Sequence, residues 1–235
     1  MGILSMRWRD LLFAHWRVDP ETVARRLPDG LSVDTDDGDA YLGVVPFVME
    51  SIGVRGVPLG PSFGELNLRT YVVPEDGNTP GVYFFNLDAD DRLGVSIARS
   101  LFRLPYYRAD MTVETDGSGT DRTVRFRSRR TTPAVPPVRF DASYGPTGAF
   151  ETTDPGSLSS FLIERYRFYA TDDDGRIYYG DIEHEPWRLA PARATFRDNT
   201  LFRANTFDPP VPAADEPILS FAAPIDVTAD RIRRL

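Results

Sequence analysis

Four polar side chains alternate along a segment of the sequence that has the pattern of a β-strand. In ELNLRTYV, Glu65, Asn67, Arg69 and Tyr71 share one face, because successive side chains of a strand point in opposite directions. They offer a carboxyl group, an amide, a guanidinium and a phenol, which suit an organic anion or a polyol. Only one face of such a strand is expected to be dry core. The polar face therefore lines a cavity or meets solvent, and the pattern leaves both interpretations open.

Two further segments supply candidate ligand-binding side chains. Arg99 could hold a ligand carboxylate through two parallel hydrogen bonds, or it could belong to a solvated helix stripe with Arg92 and Arg103. Either Tyr106 or Tyr107 could present its hydroxyl group to a cavity, although buried tyrosines mostly pack and find one partner for that hydroxyl.

His15 and His184 are the two side chains whose ordinary pKa places their titration near neutral pH. Each lies close to a tryptophan, in HW and in HEPW. A role in proton transfer is one interpretation. Packing and hydrogen bonding is the other, and we favour it because the sequence gives neither histidine an assignable partner.

Several kinds of chemistry are excluded by residue types that the chain lacks. Cysteine is absent, which removes disulfides, thiolate nucleophiles and thiolate metal sites. All 27 basic residues are arginine, so no lysine can form a Schiff base or complete a Walker phosphate loop. Zinc and calcium motif spacings are missing, and two histidines with one carboxylate would be the remaining realistic metal site. We expect no metal and no cofactor.

Two glycine-containing matches to catalytic or cofactor motifs lack the required context. Gly60-Pro61-Ser62-Phe63-Gly64 matches the GxSxG pattern of esterases, whose nucleophile needs a strand before it and a helix after it. Here a Pro-rich loop precedes the match and a strand pattern follows. Gly53, Gly56 and Gly60 do not make a dinucleotide fingerprint.

The charge balance bears on partners and location. The formal net charge of −8 repels phosphate backbones, so binding to nucleic acid or to an anionic membrane is disfavoured. In the basic run Arg125–Arg130, arginines alternate with Phe126 and Ser128, which is typical of a strand whose arginines lie on the solvent-exposed face. With no run of about 18 apolar residues and an early charged start, we expect a soluble cytoplasmic protein. A halophilic source or a GC-rich genome would explain the arginine bias.

Strand patterns dominate the N-terminal part of the chain. Residues 8–18 alternate as one strand with a chiefly apolar face, and Asp19-Pro20 begins a short helix. The segments LSVDT and AYLGVVPFVM are predicted to form a hairpin across the turn at residues 36–39. The Gly/Pro-rich residues 51–62 form a predicted loop that could border the mouth of a pocket.

Further strands and two helices are predicted in the remainder. A helix beginning at Asp90 or Asp91 runs through Phe102. Two strands pair across the turn at residues 117–119. A longer helix opens at Asp154-Pro155, with apolar residues at helical spacing as far as Tyr169, and residues 218–227 form a final strand.

The count of about ten strands and three scattered helices predicts a mainly β (α+β) fold. The arrangement favours a large antiparallel β barrel or curved sheet with about three peripheral or plugging helices, since a parallel sheet would need regular alternation of strands and helices. No repeat or linker appears, so we predict a single domain over residues 1–235.

Seven segments in the same order resemble one prokaryotic family over nearly the whole chain. They are FAHW (13–16), VVPF (44–47), ELNLRTYV (65–72), GVYFFNLDA (81–89), LPYYRADM, FLIERYRFY and HEPW. As a set they resemble the domain of unknown function 2071, which is similar to the acetoacetate decarboxylase superfamily. This resemblance implies a large antiparallel barrel with a buried polar cavity, but no established activity.

The resemblance also identifies a departure from the decarboxylases. Their nucleophile is a lysine in a Gly-Arg then Pro-Lys segment. The similar stretch here is Ala98-Arg99 followed by Leu104-Pro105-Tyr106, so a tyrosine stands where the lysine would be. A phenol cannot form an imine, which excludes decarboxylation by the Schiff-base route. The resemblance implies that a binding function remains, with Arg99 as a carboxylate clamp and Glu65 as the counterpart of a barrel glutamate.

We therefore predict a protein that binds a small organic acid or similar polar metabolite in a cavity, with lyase-type or hydrolase-type acid–base chemistry left open. The candidate ligand-binding residues are Glu65, Asn67, Arg69, Tyr71, Arg99 and Tyr106. The candidate catalytic residues are Glu65, Tyr106, His15 and His184. The alternative is a non-catalytic structural or protein-interaction domain, such as a homodimer formed through strand edges, whose lumen is filled by side chains.

Overall fold

The computed structural model describes residues 2–54, 60–77, 79–90, 103–207 and 216–235. Sixteen β-strands and three α-helices lie within these ranges, which confirms the predicted mainly β class. The predicted helix that begins at Asp90 or Asp91 lies outside the described residues apart from Asp90, and Arg99 lies outside them as well. No helix in the described ranges is long and apolar enough to cross a membrane.

The strands fall into an N-terminal and a C-terminal set. The first set is β1 (Leu4–Arg9), β2 (Leu11–Val18), β3 (Leu31–Val33), β4 (Ala40–Val54), β5 (Phe63–Pro74), β6 (Gly81–Ala89), β7 (Tyr106–Asp116) and β8 (Thr123–Arg130). The second set is β9 (Arg139–Pro146), β10 (Glu151–Thr152), β11 (Arg167–Thr171), β12 (Ile177–Glu183), β13 (Arg188–Asn199), β14 (Ile218–Ala222), β15 (Ile225–Ala229) and β16 (Arg233–Arg234). The helices are α1 (Pro20–Ala24), α2 (Leu158–Ile163) and α3 (Leu201–Ala204).

The strand pairings close two rings that share three strands. One path runs from β4 through β1, β15, β12, β11, β6 and β5 back to β4, and the other runs through β2, β14, β13, β9, β8, β7, β6 and β5. The rings separate because β4 and β6 each change partner along one edge: β4 pairs first with β2 and then with β1, and β6 pairs first with β11 and then with β7. Both pairings of β6 on that edge are parallel, whereas its pairing with β5 is antiparallel.

Both faces of β5 are buried, which differs from the expectation that only one face would be core. Leu66 and Leu68 point into a cluster with Phe126, Phe140 and Tyr144. We call this cluster the packed compartment. Its central side chains are almost completely inaccessible to solvent and closely packed. Two buried polar residues on the same face, Asp88 and Arg130, pair with each other at 2.6 Å.

The opposite face of β5 looks into a second cluster, which we call the cavity compartment. It is formed around large apolar residues that include Phe13, Phe47, Leu87, Phe168 and Trp187. Since successive side chains of a strand alternate, the polar residues at positions 65, 67 and 69 face this compartment and not solvent.

Two predicted strands are each broken where the chain passes from one ring to the other. Residues 8–18 form β1 and β2, which meet at Asp10 with a φ of 53°. Residues 218–227 are divided into β14 and β15 by Pro224, which cannot donate a ladder hydrogen bond. The breaks lie side by side, because Trp8 pairs with Ile225 and Leu11 with Ala222.

The predicted hairpin of β3 with β4 is wrong. The turn exists, since Asp36 and Asp39 exchange backbone hydrogen bonds of 3.0 Å. However, β3 pairs with the end of β5, where Leu31 lies opposite Pro74. The first half of β4 has no free edge for β3, because β2 and β5 occupy both sides of it.

The predicted long helix is much shorter in the structure. It is α2, which is capped by the Ser157 hydroxyl, an acceptor for the Ser160 N–H at 3.2 Å, and which ends at Ile163. Tyr169 belongs instead to β11, which pairs with β6 and β12. The aromatic segment 167–171 favours a strand once ladders are available on both sides. The predicted hairpin β7–β8 is confirmed.

Candidate functional site

A cavity of about 130 Å³ lies inside the cavity compartment. Most of its lining is apolar, and its polar lining residues within the described ranges are Trp8, Glu65, Asn67, Arg69, Tyr106, Arg165, Arg167, His184 and Trp187. The volume is below the several hundred cubic ångströms typical of drug-sized ligands. A cavity near 150 Å³ can hold a molecule of about six non-hydrogen atoms. The space therefore suits a very small organic molecule.

Glu65 is a buried carboxyl group in this cavity, with only 3% of its surface exposed. Its Oε2 accepts a hydrogen bond of 2.8 Å from the Tyr106 hydroxyl group. Burial raises the pKa of Glu65 to about 7, against the lowering effect of hydrogen bonds from Tyr106 and Asn67. The carboxyl group can therefore both give and take a proton near neutral pH.

Asn67 follows Glu65 on the same face and is 4% exposed. Its side chain contributes a hydrogen bond to the Glu65 carboxyl group. Its Oδ1 atom is buried and has no hydrogen-bond partner among the described residues. An amide whose nitrogen is used and whose oxygen is free presents a fixed acceptor to the cavity.

Arg69 is the next residue on this face and differs from the two other arginines of the cavity. Arg165 pairs with Asp34 at 2.7 Å, and Arg167 pairs with Asp181 at 2.6 Å. The Arg69 guanidinium donates instead to the Leu162 carbonyl oxygen at 3.1 Å and lies 5.1 Å from the Phe13 ring centroid. Within the described ranges no carboxylate pairs with Arg69, and its buried Nε has no partner.

Behind Arg69, Tyr71 and His15 form a buried hydrogen-bonded chain. The Tyr71 hydroxyl group donates to the Leu162 carbonyl oxygen at 2.6 Å and lies 2.7 Å from His15 Nε2. Because the hydroxyl has one proton, His15 must be the donor at Nε2. Desolvation, and secondly the charge of Arg69, hold the pKa of His15 well below its usual value. Neither residue lines the cavity, so both support Arg69 from behind.

His184 lines the cavity from the segment after β12. Its Nδ1 lies 2.7 Å from the Glu185 carbonyl oxygen, so the proton must be on Nδ1. Burial lowers the pKa of His184, which keeps the ring neutral at pH 7. Its buried Nε2 has no partner among the described residues and is therefore a free acceptor.

The predicted site residues separate into three groups. Glu65, Asn67, Arg69 and Tyr106 come together at the cavity, and His184 joins them from another segment. Tyr71 and His15 lie behind the cavity wall. Arg99 lies outside the described residues, and Tyr107 packs its ring under Arg130, with 4.2 Å from the Arg130 Cζ atom to the ring centroid.

Sequence reasoning missed several residues that shape the site. Trp8 and Trp187 stack with a centroid distance of 6.0 Å, and Trp187 also meets the edge of Phe13 at 5.3 Å. Gly43 is a third residue that sequence reasoning missed. A Cβ at this position would lie 3.0 Å from the His15 ring and 3.4 Å from Arg69 Cγ, so only glycine fits without displacing them. A glycine inside a strand pattern indicates such a close approach and could have been used as a signal.

The other motifs have structural roles or none. Ser62 of the GxSxG match is exposed and is followed by β5 and not by a helix. Three arginines of β8 lie on its outer face and form ion pairs with acids of the neighbouring strands, in the pairs Arg125–Asp141, Arg127–Glu114 and Arg129–Asp110. Arg130, at the end of β8, is buried and pairs with Asp88. In the described ranges no group of three or more histidines and carboxylates could hold a metal ion.

The fold is that of acetoacetate-decarboxylase-like proteins. The enduracididine biosynthesis enzyme MppR, in its complex with pyruvate, superposes with a TM-score of 0.65 over 98% of this chain and 89% of that chain, at 17% identity. An acetoacetate decarboxylase-like enzyme from Sphingomonas wittichii RW1 gives 0.61 over 100% and 95%, at 16% identity.

Sequence comparison assigns the family within this fold. The model of the family described as "Uncharacterized conserved protein", the domain of unknown function 2071, matches residues 5–226, and the chain belongs to this family. The uncharacterized protein YqjF of Bacillus subtilis (strain 168) is 39% identical over 231 residues, which are 96% of this chain and 90% of that protein.

Proposed function

We propose that this protein binds a small organic acid in the cavity, with the ligand carboxylate at Arg69. The observation that carries the proposal is a guanidinium at a largely apolar cavity, where no carboxylate of the described residues pairs with its charge. Such a cation is stabilised by an anionic ligand, and a guanidinium binds a carboxylate with directional hydrogen bonds. The fold relative MppR is known in complex with pyruvate, a small organic acid, which supports the same ligand class here.

Acid–base catalysis is a second candidate function at the same place. It is favoured by Glu65, whose pKa of about 7 leaves protonated and ionised forms in comparable amounts at neutral pH. Tyr106 donates to this carboxyl group, and burial raises the pKa of Tyr106 well above its ordinary value. Glu65 is therefore the proton donor or acceptor and Tyr106 holds its orientation. No lysine is available for covalent chemistry.

The structural alternative predicts a filled lumen, and the packed compartment matches that description. The cavity compartment does not, because buried polar atoms of four lining residues have no partner among the described residues: Trp8, Asn67, Arg69 and His184. Buried polar groups are normally paired, and unpaired ones tend to mark a function. Their concentration around one space favours ligand binding over a purely structural role.

Thermal unfolding with a panel of acids having three to five carbons tests the proposal. A ligand at about one hundred times its Kd adds about 2.7 kcal/mol of stability. That corresponds to a rise in Tm of about 5 to 10 °C for a chain of this size. We expect such a rise for wild type at pH 6 and a smaller one at pH 8, where ionised Glu65 repels the ligand carboxylate.

Two variants make the experiment specific. Arg69→Met removes the guanidinium and keeps an unbranched side chain, so the ligand-induced rise in Tm should disappear. Arg129→Met, which removes an exposed arginine paired with Asp110, should leave the rise unchanged. The proposal fails if no acid stabilises the wild type, or if Arg69→Met responds as wild type does.

A further inference from the structure

We propose that the ligand is a hydroxy acid, with a hydroxyl group close to its carboxylate, and not the corresponding keto acid. This inference rests on the proposed function and names the substrate class of the same site. It is drawn from the hydrogen-bonding capacity that the cavity wall leaves unused, and from the space available to satisfy it.

The unused capacity consists of two donors and two acceptors. Trp8 Nε1 and Arg69 Nε are N–H donors without partners in the described part of the chain. Asn67 Oδ1 and His184 Nε2 are acceptors without partners there, the latter because its ring proton is used at Nδ1. Each of the four residues lines the cavity. A fitting ligand must therefore both accept and donate.

A keto acid cannot meet this requirement. Its carboxylate and ketone oxygens are acceptors only, so they can satisfy Arg69 and Trp8 but leave both acceptors of the wall unpaired. Leaving a buried acceptor unpaired on binding costs affinity. A hydroxyl group on the same carbon skeleton donates to one of these acceptors and can still accept from a donor.

The four residues surround one small space. Trp8 stacks on Trp187, and Trp187 in turn contacts the His184 ring at 5.0 Å. The Phe13 ring contacts both Trp187, at a centroid distance of 5.3 Å, and the Arg69 guanidinium, whose Cζ lies 5.1 Å from the Phe13 centroid. Asn67 precedes Arg69 by two residues on β5, which places the two side chains on one face roughly 7 Å apart. A ligand of three to five carbons can span that separation.

The chemistry of the chain removes the usual need for a ketone. A ketone is required where a lysine forms a Schiff base, and this chain has no lysine. An amino group would satisfy the acceptors as well, but an ammonium would lie near Arg69, whose charge no carboxylate of the described residues matches. Charge repulsion therefore favours a neutral hydroxyl group over an ammonium.

Calorimetric titration of wild type with matched four-carbon acids tests the inference. The probes are 2-hydroxybutanoate, 3-hydroxybutanoate, 2-oxobutanoate, 2-aminobutanoate and butanoate. We expect at least one hydroxy acid to bind about tenfold more tightly than the keto acid, which is the effect of one neutral hydrogen bond. The amino acid and unsubstituted butanoate should also bind more weakly than that hydroxy acid.

Variants then locate the donor contact. Asn67→Leu and His184→Phe each remove one free acceptor, and at least one of them should reduce the hydroxy-over-keto preference to about threefold or less. Asn199→Leu is the matched control, because Asn199 lies outside the cavity and its amide oxygen accepts from the Leu201 N–H. It should keep the preference of wild type.

The outcomes separate this inference from the proposed function. If the protein binds the keto acid through Arg69 at least as tightly as it binds the hydroxy acids, the inference is overturned and the proposed function stands. If none of the five acids gives heat and no acid of the three-to-five-carbon panel raises the Tm of wild type, both the inference and the proposed function are overturned. A hydroxy preference that survives in both Asn67→Leu and His184→Phe also overturns it, because the acceptors that it names would not be responsible.

Discussion

The two sides of β5 show how one strand serves two different interiors. Leu66 and Leu68 face the packed compartment, where apolar side chains fill most of the space and the buried Asp88 and Arg130 on the same face pair with each other. Glu65, Asn67 and Arg69 face the cavity compartment, where each carries a polar group that is buried or partly buried. The same backbone therefore supports dry packing on one face and a polar site on the other.

The difference indicates where stability and function are located. Close packing on one side fixes β4 and β5, and this rigid wall holds the polar side chains of the other side in place. The cavity side is less densely packed, and several of its buried polar atoms have no partner in the described ranges. Both features lower stability and permit ligand binding. Variants on either side of the wall can test this division.

The largest effect is expected from truncation in the packed compartment. Leu68→Ala should lower the free energy of unfolding by about 3 to 4 kcal/mol, because a fully buried leucine leaves a cavity that its neighbours cannot fill. Asn67→Ala, at the adjacent position of the same strand, should cost about 1 kcal/mol. Urea denaturation measures both, and equal losses would contradict the division between the compartments.

An intermediate effect is expected from Glu65 and pH. Between pH 4.5 and about 7 the unfolded state releases the Glu65 proton while the folded state retains it, so folding loses stability as pH rises. Wild type should therefore lose about 2 to 3 kcal/mol more than Glu65→Gln between pH 5 and pH 8. Urea denaturation at both pH values measures the difference.

The matched control for this titration is an exposed glutamate. Glu114→Gln removes a carboxylate that pairs with Arg127 at the surface, and it should leave the pH dependence of wild type unchanged. If Glu65→Gln shows the same pH dependence as wild type, then Glu65 does not carry a raised pKa in the folded protein.

The smallest effect is expected from enlarging alanines. Ala142→Leu inserts three carbons into the packed compartment and should cost about 1 to 2 kcal/mol through overpacking. Ala229→Leu inserts the same group beside the cavity, where space exists, and should cost less than about 0.5 kcal/mol. Thermal unfolding compares them, and a larger loss for Ala229→Leu would show that the cavity is not open space.

The sequence predicted elements where the signal is local. The β7–β8 hairpin and the short helix after Asp19 were predictable because glycine-rich turns and helix caps act over a few residues. The pairing of β3 with β5 and the end of α2 at Ile163 were not, because they depend on which strand edges are free in the assembled sheet. Alternation likewise cannot show that a strand is shared by two rings.

The site was predictable to a similar degree. Alternation correctly placed Glu65, Asn67 and Arg69 on one face, but it could not show that the face is enclosed, because the enclosing residues come from distant segments. Trp8 and Trp187 have no sequence signal that separates a cavity wall from ordinary core. His184 was singled out for its titration, whereas in the structure its Nδ1 contacts the Glu185 carbonyl oxygen and its buried Nε2 has no partner among the described residues.

The sharing of β4, β5 and β6 by both rings has a consequence for how the molecule comes apart. Removing any one of these strands would open both rings at once, so neither interior can be lost while the other stays intact. The chain also crosses between the rings at Asp10 and at Pro224, which ties the two halves together a second time. Thermal unfolding should therefore be a single cooperative transition. A ligand bound in the cavity compartment should stabilise the packed compartment against unfolding as well.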